Sequence, residues 1–217
     1  MPKNIHDILR DVDSGKLAIP DFQRKLAWEQ EDIKNLLSSI LGEYHIGTLL
    51  LLESKSDCPF KYRKVKGATT EIDSNFSLIL DGQQRVASLV YAIKEPDLPF
   101  TGRKSPVRYF IDLSVLEGDH LDWERCVVYS LTSNKRKIEL YSNENVYVPF
   151  PLFYDTAKLA NKYKNHKLQA ELVTKSSEFR QHEVHSYKLP HDTSFHRVVE
   201  TFERVNNSGK PLSSYDL

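Results

Sequence analysis

The chain has 217 residues, of which 40% are hydrophobic and 28% are charged. This length and composition fit one large domain or two small ones and exclude a disordered chain. The 30 basic and 30 acidic residues cancel, which excludes the net basic balance usual in a protein that coats nucleic acid. Two widely separated cysteines and the lack of a long apolar run favour a reducing, cytoplasmic compartment and no membrane partner.

Hydrophobic spacing predicts mixed helices and strands along the first half of the chain. In chain order, it predicts a helix capped by Asn4 and ended by Gly15, an extended segment at 16–20, a helix at 30–41, and buried strands at 49–52 and 77–80. Residues 53–76 are polar and aperiodic, so we interpret them as an insertion or a loose hairpin without a site.

After residue 82 the predicted elements are a helix and two strands, and beyond about residue 150 the chain is predicted to be mainly helical. In order, we expect a helix at 83–95, strands at 107–113 and 126–131, a helical region at 151–184 with Asp155 as a cap, and a last helix at 195–205. Strands and helices without regular βαβ alternation indicate the α+β class. An additional helical layer or subdomain is expected after about residue 150.

The segment from Ser77 to Val86 carries the most chemical information. A strand ends in Asp81, Gly82 allows a tight turn, and a helix whose open N–H groups form an anion site begins at once. Arg85 in that first turn opposes the helix dipole, at a cost of roughly 0.3–1 kcal/mol. An anion would offset that cost, since charge-assisted hydrogen bonds are worth about 1.5–3 kcal/mol each. The alternative is that Arg85 simply pairs with Asp81 and fixes the turn.

The side chains around this turn suit a nucleotide. The amides of Gln83 and Gln84 both donate and accept, which fits a sugar, a base edge or a polarised water. Asp81, at the end of the strand, suits a magnesium ion or a ribose hydroxyl.

Two further segments have both a functional and a structural interpretation. In Ile19–Trp28, the aromatic residues Phe22 and Trp28 would anchor a loop and leave Gln23 and Arg24 presented to solvent or to a ligand. The structural alternative is a surface loop pinned by two aromatic residues. In the third segment, 202–216, left-handed backbone angles at Asn206, Asn207 and Gly209 would form an anion-binding nest or an ordinary helix end.

The sequence lacks two other well-known functional motifs. The phosphate-binding loop G-x-x-x-x-G-K-[ST] is absent, because Pro211 follows Gly209-Lys210 and forbids the helix that the loop requires. The segment His182–His185 is one residue short of a zinc-protease motif. We interpret it as a polar helix and loop.

Together, IPDFQRKLAW, LILDGQQRVASL and FERVNNSGKPLSSYDL resemble the signature stretches of the N-terminal domain family of GmrSD restriction systems, in order and in spacing. The resemblance runs from about residue 5 to the last residue. It implies a ParB/sulfiredoxin-like nucleotide-binding core at 1–150 and a helical extension at 151–217 that closes the site. In that fold a G-x-x-R turn binds nucleotide phosphates, and the matching residues here are Gly82 to Arg85.

The resemblance implies an NTP-binding, NTP-hydrolysing regulatory domain of a modification-dependent restriction or phage-defence protein. A nucleoside triphosphate and Mg²⁺ are the expected ligands, with Asp81 as the metal ligand. The expected catalytic residues are Asp81, Gln84 and Arg85. The expected nucleotide-binding residues are Gln23, Arg24, Gly82, Gln83, Arg85, Asn206 and Gly209.

The resemblance also implies partners outside this chain. Family members usually carry a C-terminal HNH-type nuclease domain, whereas this sequence stops inside the third motif. We therefore expect it to be one domain of a longer protein, and we expect the full-length protein to bind DNA. Two alternatives stay open: a non-catalytic sensor of DNA or of a modified base, and a ParB-like nuclease. The nuclease is disfavoured because no carboxylates cluster at metal-ligand spacing.

Overall fold

The computed structural model describes residues 2–23, 28–99, 104–116 and 121–206. Over these residues the chain is α+β, as the sequence predicts. The helices are α1 (Ile5–Asp13), α2 (Gln30–Leu41), α3 (Gln83–Lys94), α4 (Lys135–Tyr141), α5 (Phe150–Tyr154), α6 (Thr156–Lys162), α7 (Gln169–Gln181) and α8 (Phe195–Asn206). The strands are β1 (Lys3–Asn4), β2 (Leu17–Pro20), β3 (Leu49–Lys55), β4 (Tyr62–Lys64), β5 (Asn75–Asp81), β6 (Val107–Asp112), β7 (Val127–Leu131), β8 (Tyr147–Pro149), β9 (Glu183–Val184) and β10 (Ser186–Leu189).

Strands β3 and β5 lie inside a five-stranded sheet with the order β10-β3-β5-β2-β4. β3 runs antiparallel to β5, whereas β2 runs parallel to it. Along β3, Leu49 and Leu51 belong to one hydrophobic cluster, and Leu50 and Leu52 belong to another. Because both faces of the strand are covered, all four leucines are buried, which confirms the buried strand that the apolar run predicts.

The larger hydrophobic cluster joins the two halves of the chain. It contains Leu37 of α2 together with Phe153 of α5 and Phe179 of α7. The smaller cluster takes Val198 and Phe202 from α8, which packs on β5. The larger cluster crosses the division expected near residue 150, and that division stays a prediction.

A second sheet and a short ribbon complete the described structure. The second sheet has three antiparallel strands in the order β7-β6-β8, and α2 contacts β7 while α5 contacts β6. The ribbon pairs β1 with β9. No helix in the described part of the chain is both long enough and apolar enough to span a bilayer.

The predicted helix boundaries are largely confirmed. Asn4 caps α1 by accepting a hydrogen bond from the Asp7 amide at 2.7 Å, and Gly15 follows the helix with φ 72°. Asp155 caps α6 by accepting from the Lys158 amide at 3.1 Å. Helices α2, α3 and α8 also lie where the apolar spacing predicts them.

The interpretation of residues 53–76 as a loose insertion is wrong in part. Strand β3 extends to Lys55, β5 begins at Asn75, and β4 between them pairs antiparallel with β2 at the edge of the sheet. All three residues of β4 are half-buried. The strand therefore lacks the alternation of buried and exposed residues that a sequence pattern can detect.

The helical region predicted at 151–184 also needs correction. It contains three separate helices, and the last of them ends at Gln181, because His182 has extended backbone angles (φ −54°, ψ 121°). Val184 lies in β9, and β10 then joins the five-stranded sheet parallel to β3. Tyr187 and Lys188 of β10 are exposed, so the strand has no apolar run to reveal it. Helix α4 and strand β8 were likewise not expected from the sequence.

Candidate functional site

The junction between β5 and α3 is a left-handed glycine turn. Gly82 has φ 89° and is the N-cap of α3, which begins at Gln83. A Cβ atom at Gly82 would collide with Cδ2 of Leu49 and lie 3.0 Å from Nη2 of Arg85. Glycine is therefore required for its conformation and for space. A glycine cap has no side chain to accept the first N–H groups of the helix, and the first turn of α3 contains no acidic residue.

A β-bulge lies next to this turn. Asp81 pairs with Leu50, but the register between β3 and β5 shifts between Leu50 and Leu51. Bulges often redirect side chains beside functional sites. Here the irregularity coincides with the end of β5 at Asp81.

Arg85 is fixed by three hydrogen bonds. Nη1 donates to the Ile46 carbonyl at 2.8 Å, and Nη2 donates to the Thr48 carbonyl at 2.7 Å and to Oδ2 of Asp81 at 3.1 Å. The Arg85 side chain is 15% exposed. Burial lowers the pKa of its guanidinium, and the neighbouring Asp81 carboxylate opposes that shift. The pairing of Arg85 with Asp81, one of the two interpretations of the sequence, is thus present in the structure.

This pairing is compatible with a role for Arg85 in anion binding. A guanidinium has five N–H donors, and the three bonds to described residues leave one donor on Nη1 and one on Nε. A partly buried cation attracts an anion more strongly than an exposed one because solvent screens it less. Arg85 is therefore able to fix the turn and to meet a phosphate at the same time.

Gln23 is buried and not presented to solvent, and its presentation to a ligand, the other expected alternative, stays a prediction. Its residue exposure is 5%, and its side-chain Nε2 donates to the Leu80 carbonyl at 2.6 Å. Its Oε1 is also buried and has no hydrogen-bond partner among the described residues. An unpaired buried acceptor is costly. The first and second motifs thus meet at the end of β5, where Oε1 of Gln23 lacks a hydrogen-bond donor among the described residues.

The loop that carries Gln23 is held from two sides. Arg63 of β4 donates to the carbonyls of Pro20 and Gln23, both at 3.0 Å. Phe22 packs edge-on against Phe202 of α8, with ring centroids 5.4 Å apart. The expected anchoring by Phe22 is confirmed, and the helix of the third motif touches the loop of the first.

The remaining predicted residues divide into two groups. Gln83 and Gln84 lie half-buried in the first turn of α3, next to Arg85. Arg24 and Gly209 lie outside the described residues, and Asn206 is described only as the last residue of α8.

Asp81 is the only carboxylate of the Asp81–Arg85 turn, and its Oδ2 is engaged by Arg85. Nowhere in the ranges that the structure describes do three or more His, Cys, Asp or Glu side chains form a group able to hold a metal ion. Mg²⁺ is usually held by one or two carboxylates together with water and substrate phosphates, so a single Asp81 fits such an ion. The His182–His185 segment forms the end of α7 and the short strand β9.

Two contributions to this site were missed at the sequence level. Ile46 and Thr48 act through backbone carbonyls, which leave no signature in the residue type. Arg63 lies in the segment that was assigned no site. Gly47 between the two carbonyls was the one available signal, because an isolated glycine before a strand marks a close approach of another group.

Comparison with known proteins identifies relatives across almost the whole chain. The family described as GmrSD restriction endonuclease, N-terminal domain, matches residues 5–217. An uncharacterized protein of Methanocaldococcus jannaschii, MJ0686, is 32% identical over 238 residues. That match covers 99% of this chain and 40% of the relative, so the chain spans less than half the length of this similar protein.

Proposed function

Because the chain belongs to the GmrSD restriction endonuclease N-terminal domain family, we propose that it binds a nucleoside triphosphate at the start of α3 and hydrolyses it with Mg²⁺. The observation that carries this proposal is the left-handed turn at Gly82, which puts no capping side chain before α3 and lies beside the partly buried cation of Arg85. The ParB/sulfiredoxin-like assignment of the core belongs to the same proposal.

The phosphates lie against the first turn of α3. The positive end of the helix dipole favours an anion there. Gly82 has no side chain, so an anion can approach the backbone closely. Arg85 supplies its two remaining N–H donors, and Arg24 supplies a second cation from the first motif.

Asp81 and the two glutamines complete the site. Asp81 would hold Mg²⁺ through its carboxylate, of which Oδ2 also accepts from Arg85, and the metal would supply neutralising charge for the phosphates. Gln84 orients the attacking water, while Gln83 contacts the nucleotide. This is a sufficient set, because phosphoryl transfer asks mainly for positioning and charge neutralisation.

Gln23 contributes to ligand selection. Its Nε2 donates to the Leu80 carbonyl, and this hydrogen bond fixes the orientation of the side-chain amide. Its Oε1 can therefore accept a hydrogen bond from a ligand. An N–H or O–H donor of the nucleotide would satisfy that buried oxygen. A ligand without such a donor would leave it unpaired, at a cost of about 1–3 kcal/mol.

The nuclease activity is assigned to another part of the whole protein. The relative is longer than this chain, which covers 40% of it, and this chain has no net positive charge with which to hold DNA by itself. We therefore propose that this domain regulates a C-terminal HNH-type nuclease in a restriction or phage-defence protein.

Calorimetric titration tests the nucleotide site. ATP, GTP, CTP and UTP are each titrated with MgCl₂ into the wild-type chain, the Arg85→Ala variant and the Arg125→Ala control, whose native side chain is 83% exposed. Loss of charge-assisted hydrogen bonds predicts that Arg85→Ala weakens binding by about 10–100-fold. The control should bind as the wild type does, and circular dichroism verifies folding.

The outcomes separate the competing functions. Binding that depends on Arg85 supports the site, and phosphate release that Asp81→Asn abolishes supports hydrolysis. No binding of any of the four triphosphates would contradict the proposal and favour the DNA or modified-base sensor. That sensor predicts salt-dependent DNA binding without turnover.

A further inference from the structure

The guanidinium of Arg85 occupies a slot between two left-handed glycines. Gly47 has φ 88° and Gly82 has φ 89°. A Cβ atom on Gly47 would lie 2.5 Å from Nη1 of Arg85, and one on Gly82 would lie 3.0 Å from Nη2. Both distances are shorter than ordinary van der Waals contact, so a side chain at Gly47 would displace the guanidinium. Gly47 lies outside all three sequence motifs.

The segment Ile46–Thr48, which we call the carbonyl shelf, forms the wall of this slot opposite α3. The carbonyls of Ile46 and Thr48 both accept from Arg85. The shelf is tied to the five-stranded sheet, since the next amide, that of Leu49, donates to the His185 carbonyl at 2.8 Å. The acceptors of Arg85 therefore belong to a fixed part of the fold.

The shelf also limits how Arg85 meets Asp81. An arginine and a carboxylate often form two parallel hydrogen bonds that engage both carboxylate oxygens. Here the contact is single, from Nη2 to Oδ2, because the other engaged donors are directed at the shelf. Oδ1 of Asp81 therefore makes no hydrogen bond with Arg85 and can bind another ligand. The single contact with Asp81 also neutralises the charge of Arg85 less than a bidentate pair would.

We propose that Gly47 is a positioning residue, and that the carbonyl shelf holds Arg85 with its two remaining donors directed at the phosphates. This inference rests on the proposed nucleotide site and extends it to a fourth segment of the chain. A long side chain that is already fixed loses less conformational freedom when a ligand arrives, so the shelf strengthens binding.

Gly47→Ala tests the proposal, and Gly67→Ala provides a matched control. Gly67 is also left-handed, with φ 94°, but a Cβ atom there would meet Val90 and Pro96 rather than Arg85. Both variants therefore force alanine into a strained backbone conformation, whereas only Gly47→Ala disturbs the guanidinium. The probe is whichever magnesium triphosphate the wild-type chain binds in the calorimetric screen.

The expected result is a selective loss of affinity. Gly47→Ala should weaken triphosphate binding by about tenfold or more, the equivalent of one charge-assisted hydrogen bond. Gly67→Ala should leave affinity within about twofold of the wild type, since additivity holds for distant sites. Equal losses in the two variants would overturn the positioning role.

A second measurement needs no nucleotide and so separates this inference from the proposed function. The stability cost of Gly47→Ala is measured by urea unfolding in the wild type and in Arg85→Lys, where the Nη atoms are absent. If the new methyl group acts on the guanidinium, its cost should be smaller in the Arg85→Lys background, while that of Gly67→Ala stays the same. Equal costs of Gly47→Ala in both backgrounds would overturn the inference, even if nucleotide binding were established.

Discussion

Helices α2 and α3 have the same length and pack against each other, yet their N-termini are built in opposite ways. α2 begins with a capping box, in which Asp32 accepts a hydrogen bond from the Glu29 amide at 2.8 Å, and its first turn is acidic. α3 begins with Gly82, which offers no capping side chain, and carries Arg85 in its first turn. The positive end of the helix dipole therefore lies beside negative charges in α2 and beside a positive charge in α3.

The two helix ends differ in how well they would suit an anion. The carboxylates of α2 satisfy its first N–H groups and its dipole without any ligand. At α3 the carboxylate is Asp81, which lies before the helix and is paired with Arg85. The cation in the first turn of α3 is thus unfavourable for an isolated helix, whereas it would favour a bound phosphate.

The largest effect is expected from Gly82→Ala, which closes the turn of α3. A left-handed alanine costs about 1–2 kcal/mol, and overpacking against Leu49 adds about 1–3 kcal/mol. We expect the free energy of unfolding to fall by their sum, roughly 2–5 kcal/mol, with loss of triphosphate binding. Urea unfolding and calorimetry measure the two effects.

Gly67→Ala again controls for the backbone strain. The three atoms nearest to its added Cβ atom would all be side-chain atoms, the closest being Val90 Cγ1 at 3.1 Å. Its loss of stability should be near the strain alone, about 1–2 kcal/mol. A Gly82→Ala variant no less stable than Gly67→Ala would show that the turn is not tightly packed.

The next largest effect is expected from a variant that gives the first turn of α3 a carboxylate, as in α2. Gln83→Glu places a carboxylate in the first turn of α3, where it should stabilise the helix by about 0.3–1 kcal/mol. The same charge repels a triphosphate, so affinity should fall by about tenfold or more. Stability and affinity are therefore expected to move in opposite directions.

Gln169→Glu is the matched control, because it makes the same change at the first residue of α7. It should leave triphosphate affinity unchanged. Tighter binding by Gln83→Glu, or equal weakening by both variants, would contradict the assignment of the anion to α3.

The smallest effect on triphosphate affinity is expected from removing part of the capping box of α2. Asp32→Ala removes one half of the capping box and should lower the free energy of unfolding by about 0.5–2 kcal/mol. Triphosphate affinity should not change, since α2 supplies no ligand. Glu139→Ala removes an exposed helical carboxylate from α4 and serves as the control. A loss of affinity in Asp32→Ala would mean that the two helix ends are not functionally distinct.

Most of the fold elements could be predicted because burial leaves periodic traces. Leu49–Leu52 and the helix at Gln83–Lys94 are examples, since packing on one face or on both dictates their spacing. Strand β10 could not be predicted in this way, because its middle residues, Tyr187 and Lys188, are exposed, and pairing with β3 leaves no pattern in the residue types.

The candidate site shows the same limit. The Asp81–Arg85 turn is local, so its residues could be identified from a single segment. The contacts of Arg85 with Ile46 and Thr48 join carbonyls to a side chain 37 to 39 residues away. Every residue offers the same backbone carbonyl, so only Gly47 marks the approach in the sequence.

The most direct test of the central claim is a ¹⁵N–¹H chemical-shift titration of the wild-type chain with the magnesium triphosphate that binds best. The account predicts saturable shifts at the amides of Gly82, Gln83 and Gln84, with those of Glu31 and Asp32 at the start of α2 unmoved. Shifts centred away from the start of α3, or equal shifts at both helix ends, would contradict it.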